Sequence, residues 1–454
     1  MKRIFTLLLI LFVITVTNAQ CWKTISAGDL ITAAIKSDGT LWTWGDYRYG
    51  QLGIGAVTDD ARTPTQVGTA SDWVFVTAGW YTVFAIKSNG TLWAWGQNTY
   101  GKLGDGTNTD RNTPVQIGTD TNWQFVSSNS NNTAAIKTDG SLWAWGGNLG
   151  GQVGDGTFTN RYAPVRIGTA NNWASVSVGN GHTLAKRSDN TIWVWGVGSD
   201  GYLGLGTVNL KNIPTQIGTS SDWRQVEAGF THSVAIKNDG TLWAWGNNDY
   251  GQLGDNTTVK KNVPTQIGTD TDWQKIDVYE HNLAIKTNGT LWVWGGPNGD
   301  YRLGDNTTMN RLAPFQLTSV SNITKTSAGG HFSFIQDSNG NTFGFGVNSD
   351  GVLGTGDALT KQTPTLIFQC TGLGIEDSLV EEFTIYPNPS NGNFNIEIDD
   401  NLIGSKVTIY NLLGQKIKDF DLKTTTTNQF LNKGVYLLEI EKAGSKTSKK
   451  LVVN

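Results

Sequence analysis

A unit of 50 residues recurs seven times along most of this 454-residue chain, and this repeat limits the folds that the chain can adopt. Repeats of such length are typical of solenoids, propellers and arrays, in which neighbouring units bury faces that one unit cannot bury alone. A Trp-x-Trp-Gly sequence occurs in six copies, and Phe343 and Phe345 replace its tryptophans in the seventh. Proline marks the period, at Pro64, Pro114, Pro164, Pro214, Pro264, Pro314 and Pro364.

One copy, residues 223–272, shows what each unit is expected to form. Its apolar and polar residues alternate in short runs, which predicts four strands at residues 223–229, 232–237, 241–246 and 264–268. Asp239-Gly240 provides a tight hairpin turn between the second and third strands. Four short antiparallel strands are the content of one propeller blade, so we expect an all-β fold with a seven-bladed β-propeller at residues 20–370.

Composition agrees with a β fold and limits the function. The chain has 56 Gly and 19 Trp but only 16% charged residues, which favours strands and tight turns over helices. Eighteen tryptophans fall at repeat positions, where we expect them to form the core between blades, and only Trp80 lies outside the pattern. A net charge of -4 leaves no basic excess for a nucleic-acid partner.

Two cysteines, Cys21 and Cys370, flank the repeats and bear on whether the units form a ring or an open stack. A disulfide requires Cα atoms only about 4.4–6.8 Å apart. The ends of an open stack of seven units would lie far apart, whereas those of a ring meet. We therefore predict a Cys21–Cys370 bond that closes a ring, with free or intermolecular thiols as the alternative.

The first residues predict export of the chain. Lys2 and Arg3 precede an apolar run, and Ala19 ends a cleavage sequence of small residues, as in a secretory signal peptide at residues 1–19. The apolar run is too short for a good membrane span, and no other segment approaches one. A lipoprotein attached through Cys21 is the alternative, although Gln20 fits that signal poorly. The expected location is outside the cell or on its outer surface.

The repeats resemble those of the RCC1 family over residues 22 to about 370. The matching sequences are Gly-x-x-His-(Thr/Ser)-x-Ala at 179–185 and 229–235, Asp-Gly-Thr-Leu-Trp-Ala-Trp-Gly at 239–246 and Gly-Gln-Leu-Gly-Asp at 251–255. The resemblance implies a seven-bladed propeller that binds other proteins through variable loops. Its members include a nucleotide exchange factor, a plant photoreceptor and a secreted β-lactamase inhibitor. Exchange activity is not implied, because it depends on a nuclear partner and this chain is exported.

A different module follows the repeats. After an acidic linker at 371–382, residues 383–454 alternate apolar and polar residues and predict a small β-sandwich. Tyr386-Pro387-Asn388-Pro389, Gly392, the run 410–415 and Gly434-Val435-Tyr436 resemble the type A C-terminal sorting domain of the Bacteroidota type IX (Por) secretion system. This resemblance implies that the secretion machinery is a partner, followed by release or attachment to surface lipopolysaccharide. An ordinary accessory sandwich is the alternative.

Few residues suggest chemistry. His182, His232, His281 and His331 recur at one repeat position, where a structural hydrogen-bonding role is favoured over a shared metal because equivalent residues of neighbouring blades lie too far apart. A basic residue three places before proline suggests either a girdle for an anionic partner or pairing with the aspartates of the preceding turn. No phosphate loop, nucleophile system or paired-carboxylate motif stands out, so we predict neither an enzyme nor a cofactor.

The variable turn between the first and second strands of each blade offers a better candidate site. These turns should surround one mouth of the channel, and the binding residues that we predict in them are Trp80, Tyr81, Phe230, Tyr279 and Glu280. Aromatic residues on a rigid scaffold often dominate binding energy, although local packing also explains them. We expect a non-enzymatic scaffold that binds an extracellular protein or glycan. The alternatives are an extracellular polysaccharide-active enzyme and a structural adhesion or surface protein.

Overall fold

A computed structural model describes residues 21–370, 383–398, 402–411, 414–442 and 445–454. The chain divides into two compact units between Thr371 and Gly372. The predicted signal peptide at 1–19 and the predicted linker at 371–382 lie outside the described residues. Within the described ranges, none of the helices has the length and apolar character that crossing a membrane requires.

The described part of the first unit consists of seven sheets, each of four consecutive antiparallel strands. Blades one to three contain β1 (Trp22–Ala27), β2 (Ile31–Lys36), β3 (Leu41–Gly45), β4 (Ala61–Gln66), β5 (Trp73–Ala78), β6 (Thr82–Lys87), β7 (Leu92–Gly96), β8 (Arg111–Gln116), β9 (Trp123–Ser128), β10 (Asn132–Lys137), β11 (Leu142–Gly146) and β12 (Arg161–Arg166). Blades four and five contain β13 (Trp173–Val178), β14 (His182–Arg187), β15 (Ile192–Gly196), β16 (Lys211–Gln216), β17 (Trp223–Ala228), β18 (His232–Lys237), β19 (Leu242–Gly246) and β20 (Lys261–Ile267). Blades six and seven contain β21 (Trp273–Val278), β22 (His281–Lys286), β23 (Leu291–Gly295), β24 (Arg311–Leu317), β25 (Ile323–Ala328), β26 (Phe332–Asp337), β27 (Thr342–Gly346) and β28 (Lys361–Phe368). Single turns of 3-10 helix lie at Thr99–Gly101, Ser199–Gly201 and Asn298–Asp300. The predicted all-β fold is confirmed.

The hairpin between the second and third strands shows why the repeat folds this way. In blade five, Gly240 takes a φ of +80°, a conformation that favours glycine. The Asp239 carboxylate accepts a hydrogen bond from the Thr241 backbone N–H at 3.0 Å, which fixes the turn. The ammonium group of Lys237 then lies 4.8 Å from the Trp223 ring and 4.7 Å from the Trp243 ring. The turn sequence therefore sets the register that stacks a cation between two indoles.

Neighbouring blades are joined by the second tryptophan of the Trp-x-Trp-Gly motif. Its indole N–H donates to a backbone carbonyl of the preceding blade, at 2.9 Å from Trp95 to Gln51 and 2.9 Å from Trp145 to Lys102. The accepting residue is the variable one in a Gly-x-Leu-Gly sequence. A Cβ atom on Gly104, which closes one such sequence, would lie 2.6 Å from the Trp145 indole nitrogen. Glycine is required there because the indole of the next blade covers it.

The ring closes through the same contact and a disulfide. The Trp44 indole of blade one donates to the Val352 carbonyl of blade seven at 2.8 Å. Phe368, at the end of β28, packs against Trp22 and Trp44 with ring centroids 5.4 and 5.7 Å away. Cys21 and Cys370 are bonded, with Cα atoms 4.8 Å apart. The predicted disulfide and the closed ring are confirmed.

The second unit contains two antiparallel sheets around one core. The three-stranded sheet has the order β29 (Thr384–Tyr386), β30 (Asn393–Glu397), β33 (Thr426–Phe430). The four-stranded sheet has the order β32 (Lys416–Asp421), β31 (Lys406–Asn411), β34 (Gly434–Lys442), β35 (Ser445–Val453). Phe394 and Ile396 of the first sheet share a buried cluster with Val407, Ile409 and Leu438 of the second. This arrangement is the predicted small β-sandwich.

Candidate functional site

The first strand of every blade lies innermost in the propeller. These strands surround a central channel and are β1, β5, β9, β13, β17, β21 and β25. A cavity of about 240 Å³ lies between them. Since side chains alternate along a strand, the third and fifth residues of each strand face the channel. The turns that follow these strands surround one mouth of the channel, and the beginnings of the strands surround the other.

Four aromatic residues meet at the turn end of the channel, and we refer to Trp80, Tyr81, Phe230 and Tyr279 as the aromatic mouth. Trp80 stacks on Tyr81 with ring centroids 5.9 Å apart and contacts Phe230 edge-on at 6.3 Å. Phe230 stacks on Tyr279 at 6.1 Å. Trp80 belongs to blade two and Phe230 to blade five, so their contact crosses the channel. The aromatic mouth therefore covers this end of the channel.

The aromatic mouth is more buried than a ring of separate exposed side chains would be. Trp80, Tyr81 and Phe230 are partly buried, and Tyr279 is only 6% exposed. The Trp80 indole N–H and the Tyr279 hydroxyl are buried and make no hydrogen bond with the described residues. Burial raises the pKa of Tyr279 well above its usual value. Asp29 and Tyr81 both lie near the Trp80 indole N–H, although neither meets hydrogen-bond geometry with it.

An ion-pair network borders the aromatic mouth at blade six. The Arg302 guanidinium is 2% exposed and pairs with Glu280 and with Asp300. His331 lies 2.8 Å from the same Asp300 carboxylate. Burial opposes ionisation of Asp300, but hydrogen bonds from His331 and Arg302 outweigh it and hold the Asp300 pKa below its usual value. Glu280, a predicted binding residue, is thus already engaged by Arg302.

A buried lysine of blade two, which is not among the predicted site residues, supports the aromatic mouth. The Lys102 ammonium donates to the Trp80 carbonyl at 2.9 Å, the Ser130 carbonyl at 3.0 Å and the Gln97 side-chain oxygen at 2.8 Å. Burial lowers its pKa to about 7, against a smaller opposite contribution from the charge of Asp110. The signal in the sequence is that a basic residue precedes Leu-Gly in only two blades, at Lys102 of Gly101-Lys-Leu-Gly104 and at Arg302 of Tyr301-Arg-Leu-Gly304.

Two carboxylic acids, Glu227 and Asp277, face the channel from adjacent blades. They are fifth residues of β17 and β21, a position that holds serine or threonine in the other five blades. The Asp277 carboxylate accepts from the Ala328 backbone N–H at 3.4 Å, and Glu227 accepts from the Gln225 amide at 3.2 Å. Burial, with a further contribution from the Glu227 charge, raises the Asp277 pKa to about 8. Asp277 is therefore mainly protonated at neutral pH.

Three of the histidines link blades in the interior. His182, His232 and His281 are completely buried, and each shares a hydrogen bond with a side chain of the next blade, at 3.1, 2.8 and 2.7 Å. Burial lowers their pKa values to about 3, about 4 and about 3, so these rings are neutral. The expectation that His331 shares their repeat position is wrong. In blade seven Phe332 takes this position, since it pairs with Gly346 as His232 pairs with Gly246. The first turn of blade six is one residue shorter than the others, so His281 comes one residue early. The residue 50 positions after His281 is His331, which therefore lies one residue before the repeat position.

The basic residues before proline pair with aspartates of the preceding turn. The closest pairs lie at 2.7 Å for Arg111 with Asp105, 2.5 Å for Arg161 with Asp155 and 2.7 Å for Arg311 with Asp305. These contacts favour the pairing alternative over a free girdle.

One group of acidic residues among those described could hold a cation. Oxygen atoms of Asp46, Asp60 and Asp350 lie within 4.8 Å of one another. Arg48 and Gln51 already bind the Asp46 carboxylate, so much of its charge is compensated.

Family models match both units of the chain. The model described as RCC1-like domain matches residues 118–380. Two models of the regulator of chromosome condensation (RCC1) repeat match 38–86 and 89–136, and 22–51 and 73–102. The model of the secretion system C-terminal sorting domain matches 384–454.

The individual proteins that this chain resembles include two from a plant and from human. The ultraviolet-B receptor UVR8 of Arabidopsis thaliana is 39% identical over 89 residues, which are 19% of this chain and 20% of the receptor. The E3 ubiquitin-protein ligase HERC2 of Homo sapiens is 39% identical over 85 residues, or 18% of this chain and 2% of that protein. The matched segments thus span a fifth or less of these two relatives.

Solved structures share the propeller at low identity. Human WBSCR16 has a TM-score of 0.65 at 19% identity and covers 73% of this chain and 94% of its own. Yeast RCC1 (Prp20), in its complex with Kap60, has a TM-score of 0.66 at 19% identity and covers 81% of this chain and 87% of its own. These likenesses concern the fold alone.

Proposed function

Because the chain belongs to the family of RCC1-like domains, we propose that it is a secreted, non-enzymatic scaffold that binds a protein at the end of the propeller bearing the aromatic mouth. The observation that carries this proposal is the aromatic mouth itself. Its two buried donors, on Trp80 and Tyr279, lack partners among the described residues. Buried N–H and O–H groups in proteins normally have a hydrogen-bond acceptor. These two groups can therefore donate to an acceptor on a partner or to water.

Exposed apolar residues at the same end of the propeller as the aromatic mouth support a protein partner. The loops between third and fourth strands lie at the same end of the propeller as the first turns, because the strands are antiparallel. These loops expose apolar side chains at Leu149, Phe158, Val208, Leu210, Tyr250, Val259, Met309 and Leu359. Groups of exposed apolar side chains on one end of a protein are typical of protein interaction sites. Yeast RCC1, which shares the fold, is bound to Kap60 in its crystal structure.

The test uses the whole chain as bait in capture from outer-membrane and medium fractions. Trp80→Ala and Phe230→Ala should each abolish capture of a partner by removing a large anchor. Phe315→Ala is the matched control, since Phe315 lies on the outermost strand of blade six and is 37% exposed. Equal capture by wild type and both mouth variants would refute the site, and capture of glycan instead of protein would refute the partner class. Self-association alone would favour a structural adhesion role.

The C-terminal unit supports export by the type IX secretion machinery. The sorting-domain match spans 384–454, which is nearly the whole predicted module. We infer that this unit directs passage across the outer membrane and is followed by release or attachment to surface lipopolysaccharide. Deleting 383–454 should retain the propeller inside the outer membrane, and fractionation with immunodetection measures this. Normal appearance of the truncated chain in the medium would contradict the inference.

One observation favours a second candidate function, a polysaccharide-active enzyme. Glu227 and Asp277 both line the channel, and glycoside hydrolysis uses a pair of carboxyl groups. Five serine or threonine residues at the equivalent position, several of which link blades, argue instead for a structural pair. Release of reducing ends from surface polysaccharides, lost in Glu227→Gln, would support the enzyme. If the wild type releases no reducing ends, Glu227 and Asp277 are a structural pair in a binding scaffold.

A further inference from the structure

The channel mouth opposite the aromatic mouth contains three lysines from consecutive blades, and we refer to Lys23, Lys275 and Lys325 as the basic mouth. They lie on β1, β21 and β25, the innermost strands of blades one, six and seven. All three line one cavity of about 300 Å³. A cavity of this size is at the lower end of those that bind small molecules.

The ammonium groups of two of these lysines are held by the backbone of the neighbouring blade. The Lys275 ammonium donates to the Thr324 carbonyl at 2.7 Å, and the Lys325 ammonium donates to the Lys23 carbonyl at 2.7 Å. Each ammonium has three N–H donors, so these bonds leave donors for a ligand. The contacts also reduce the side-chain freedom that a ligand would otherwise have to restrict.

The positive charge of the basic mouth is not compensated by the protein. No carboxylate of the described residues lies within 4.0 Å of any of the three ammonium groups, whereas Lys87, Lys137, Lys237 and Lys286 each have an ion-pair partner. Burial and the charges of Lys275 and Lys23 lower the pKa of Lys325. Asp277 lines the same cavity, but burial raises its pKa to about 8 and leaves it mainly uncharged at neutral pH.

The walls of the cavity combine apolar and polar groups. Ile25, Ile276 and Phe334 supply apolar surface, and Thr24 supplies a hydroxyl group. The Gln225 amide also lines the cavity but is already bonded to Glu227 and to the Ile276 backbone. An inorganic ion would use the lysines but not the apolar walls. A compact organic anion uses both.

We propose that the basic mouth is a binding site for a small organic oxyanion, with a carboxylate on a body the size of one sugar ring. The carboxylate contacts the lysine ammonium groups, and the ring lies against the apolar wall. The site is separate from the aromatic mouth and does not depend on the proposed protein partner.

The test is calorimetric titration of the purified whole chain with glucuronate, with sulfate as the probe for the anionic group alone and glucose as the uncharged probe. We expect saturable binding of glucuronate, weaker binding of sulfate and none of glucose. Lys275→Met and Lys325→Met should each weaken glucuronate binding about tenfold, because each removes a charge at contact distance. Raising NaCl to about 0.5 M should also weaken it.

Lys260→Met is the matched control, because Lys260 is 40% exposed and lies in a loop at the other end of the blade. It should bind glucuronate as the wild type does. Should either pocket variant fail to fold by circular dichroism, Lys23→Met replaces it, since Lys23 is exposed. Equal affinity for glucuronate and glucose, no binding of glucuronate, sulfate binding at least as tight as glucuronate, or affinity unchanged by the pocket substitutions would each overturn the proposal.

Discussion

Replacing Asp277 by serine should stabilise the propeller increasingly as the pH rises. Four blades have serine at this channel position, and there the serine hydroxyl accepts a hydrogen bond from a backbone N–H of the adjacent blade, as Ser26 does from Ala78 at 2.9 Å. Asp277 accepts from Ala328 in the same way, at 3.4 Å. Asp277→Ser therefore keeps an acceptor at the position and removes the ionisable group.

The magnitude follows from the Asp277 pKa, which burial and the Glu227 charge raise from 3.8 to about 8. Between these two values the folded chain holds a proton that the unfolded chain has lost. The free energy of unfolding consequently falls by about 1.4 kcal/mol for each pH unit in this window. By pH 7 the accumulated loss is at most about 4 kcal/mol, because the channel is partly open to water. Below pH 4 the contribution of Asp277 to stability is fully present.

Urea denaturation from pH 4 to pH 8, followed by tryptophan fluorescence, measures this effect. All 19 tryptophans lie in the propeller, so the signal reports that unit alone. Other titrating groups are common to both proteins and cancel in the difference between variant and wild type. We expect similar stability at pH 4 and a more stable variant at pH 7.

The control for this prediction is Glu227→Gln, which removes the neighbouring charge but retains Asp277. It should lower the Asp277 pKa and so reduce the difference that Asp277→Ser produces. A stability difference that does not change with pH, or a variant less stable than wild type at pH 7, would refute the reasoning.

Three further predictions concern the ring. Reducing the Cys21–Cys370 bond, or replacing both cysteines by serine, should cost up to about 5 kcal/mol because the bond closes a long loop, and an unchanged urea midpoint would contradict this. His232 is neutral in the folded chain, with a pKa lowered to about 4, so the free energy of unfolding should fall as the pH drops below about 6.5. His232→Asn should remove about 3 kcal/mol of that loss at pH 4. Equal acid sensitivity of variant and wild type in thermal unfolding would contradict this prediction. Trp95→Phe should cost about 1 kcal/mol by leaving the Gln51 carbonyl without its indole donor, and a midpoint equal to wild type would show that the bond is dispensable.

The repeat was sufficient to predict the blades, because each turn and strand depends on residues close in sequence. Asp239-Gly240, for example, forms the expected hairpin. The disulfide could also be predicted, since only a closed ring brings Cys21 and Cys370 together. The displacement of His331 was missed although the sequence contains its cause: Trp292 follows Trp243 by 49 residues, which places a one-residue shortening inside blade six.

The contents of the channel were harder to predict from the sequence. Trp80 and Phe230 are 150 positions apart and meet only because blades two and five face each other across the ring. Lys102 lies in a motif that otherwise serves packing, and its role depends on the carbonyl groups that surround it. Contacts of this kind depend on the closure of the ring, and a pattern within one repeat does not contain them.

Site-specific photo-crosslinking in secreting cells tests the central claim, that a protein binds the end of the propeller bearing the aromatic mouth. A photoreactive residue at Val208, which is 62% exposed in a loop at that end, should give one covalent adduct with a partner protein. The same residue at Leu366, which is 49% exposed on the outermost strand of blade seven, should not. Adding Trp80→Ala should remove the Val208 adduct. Adducts of equal yield from both positions, or from Leu366 alone, would contradict the account.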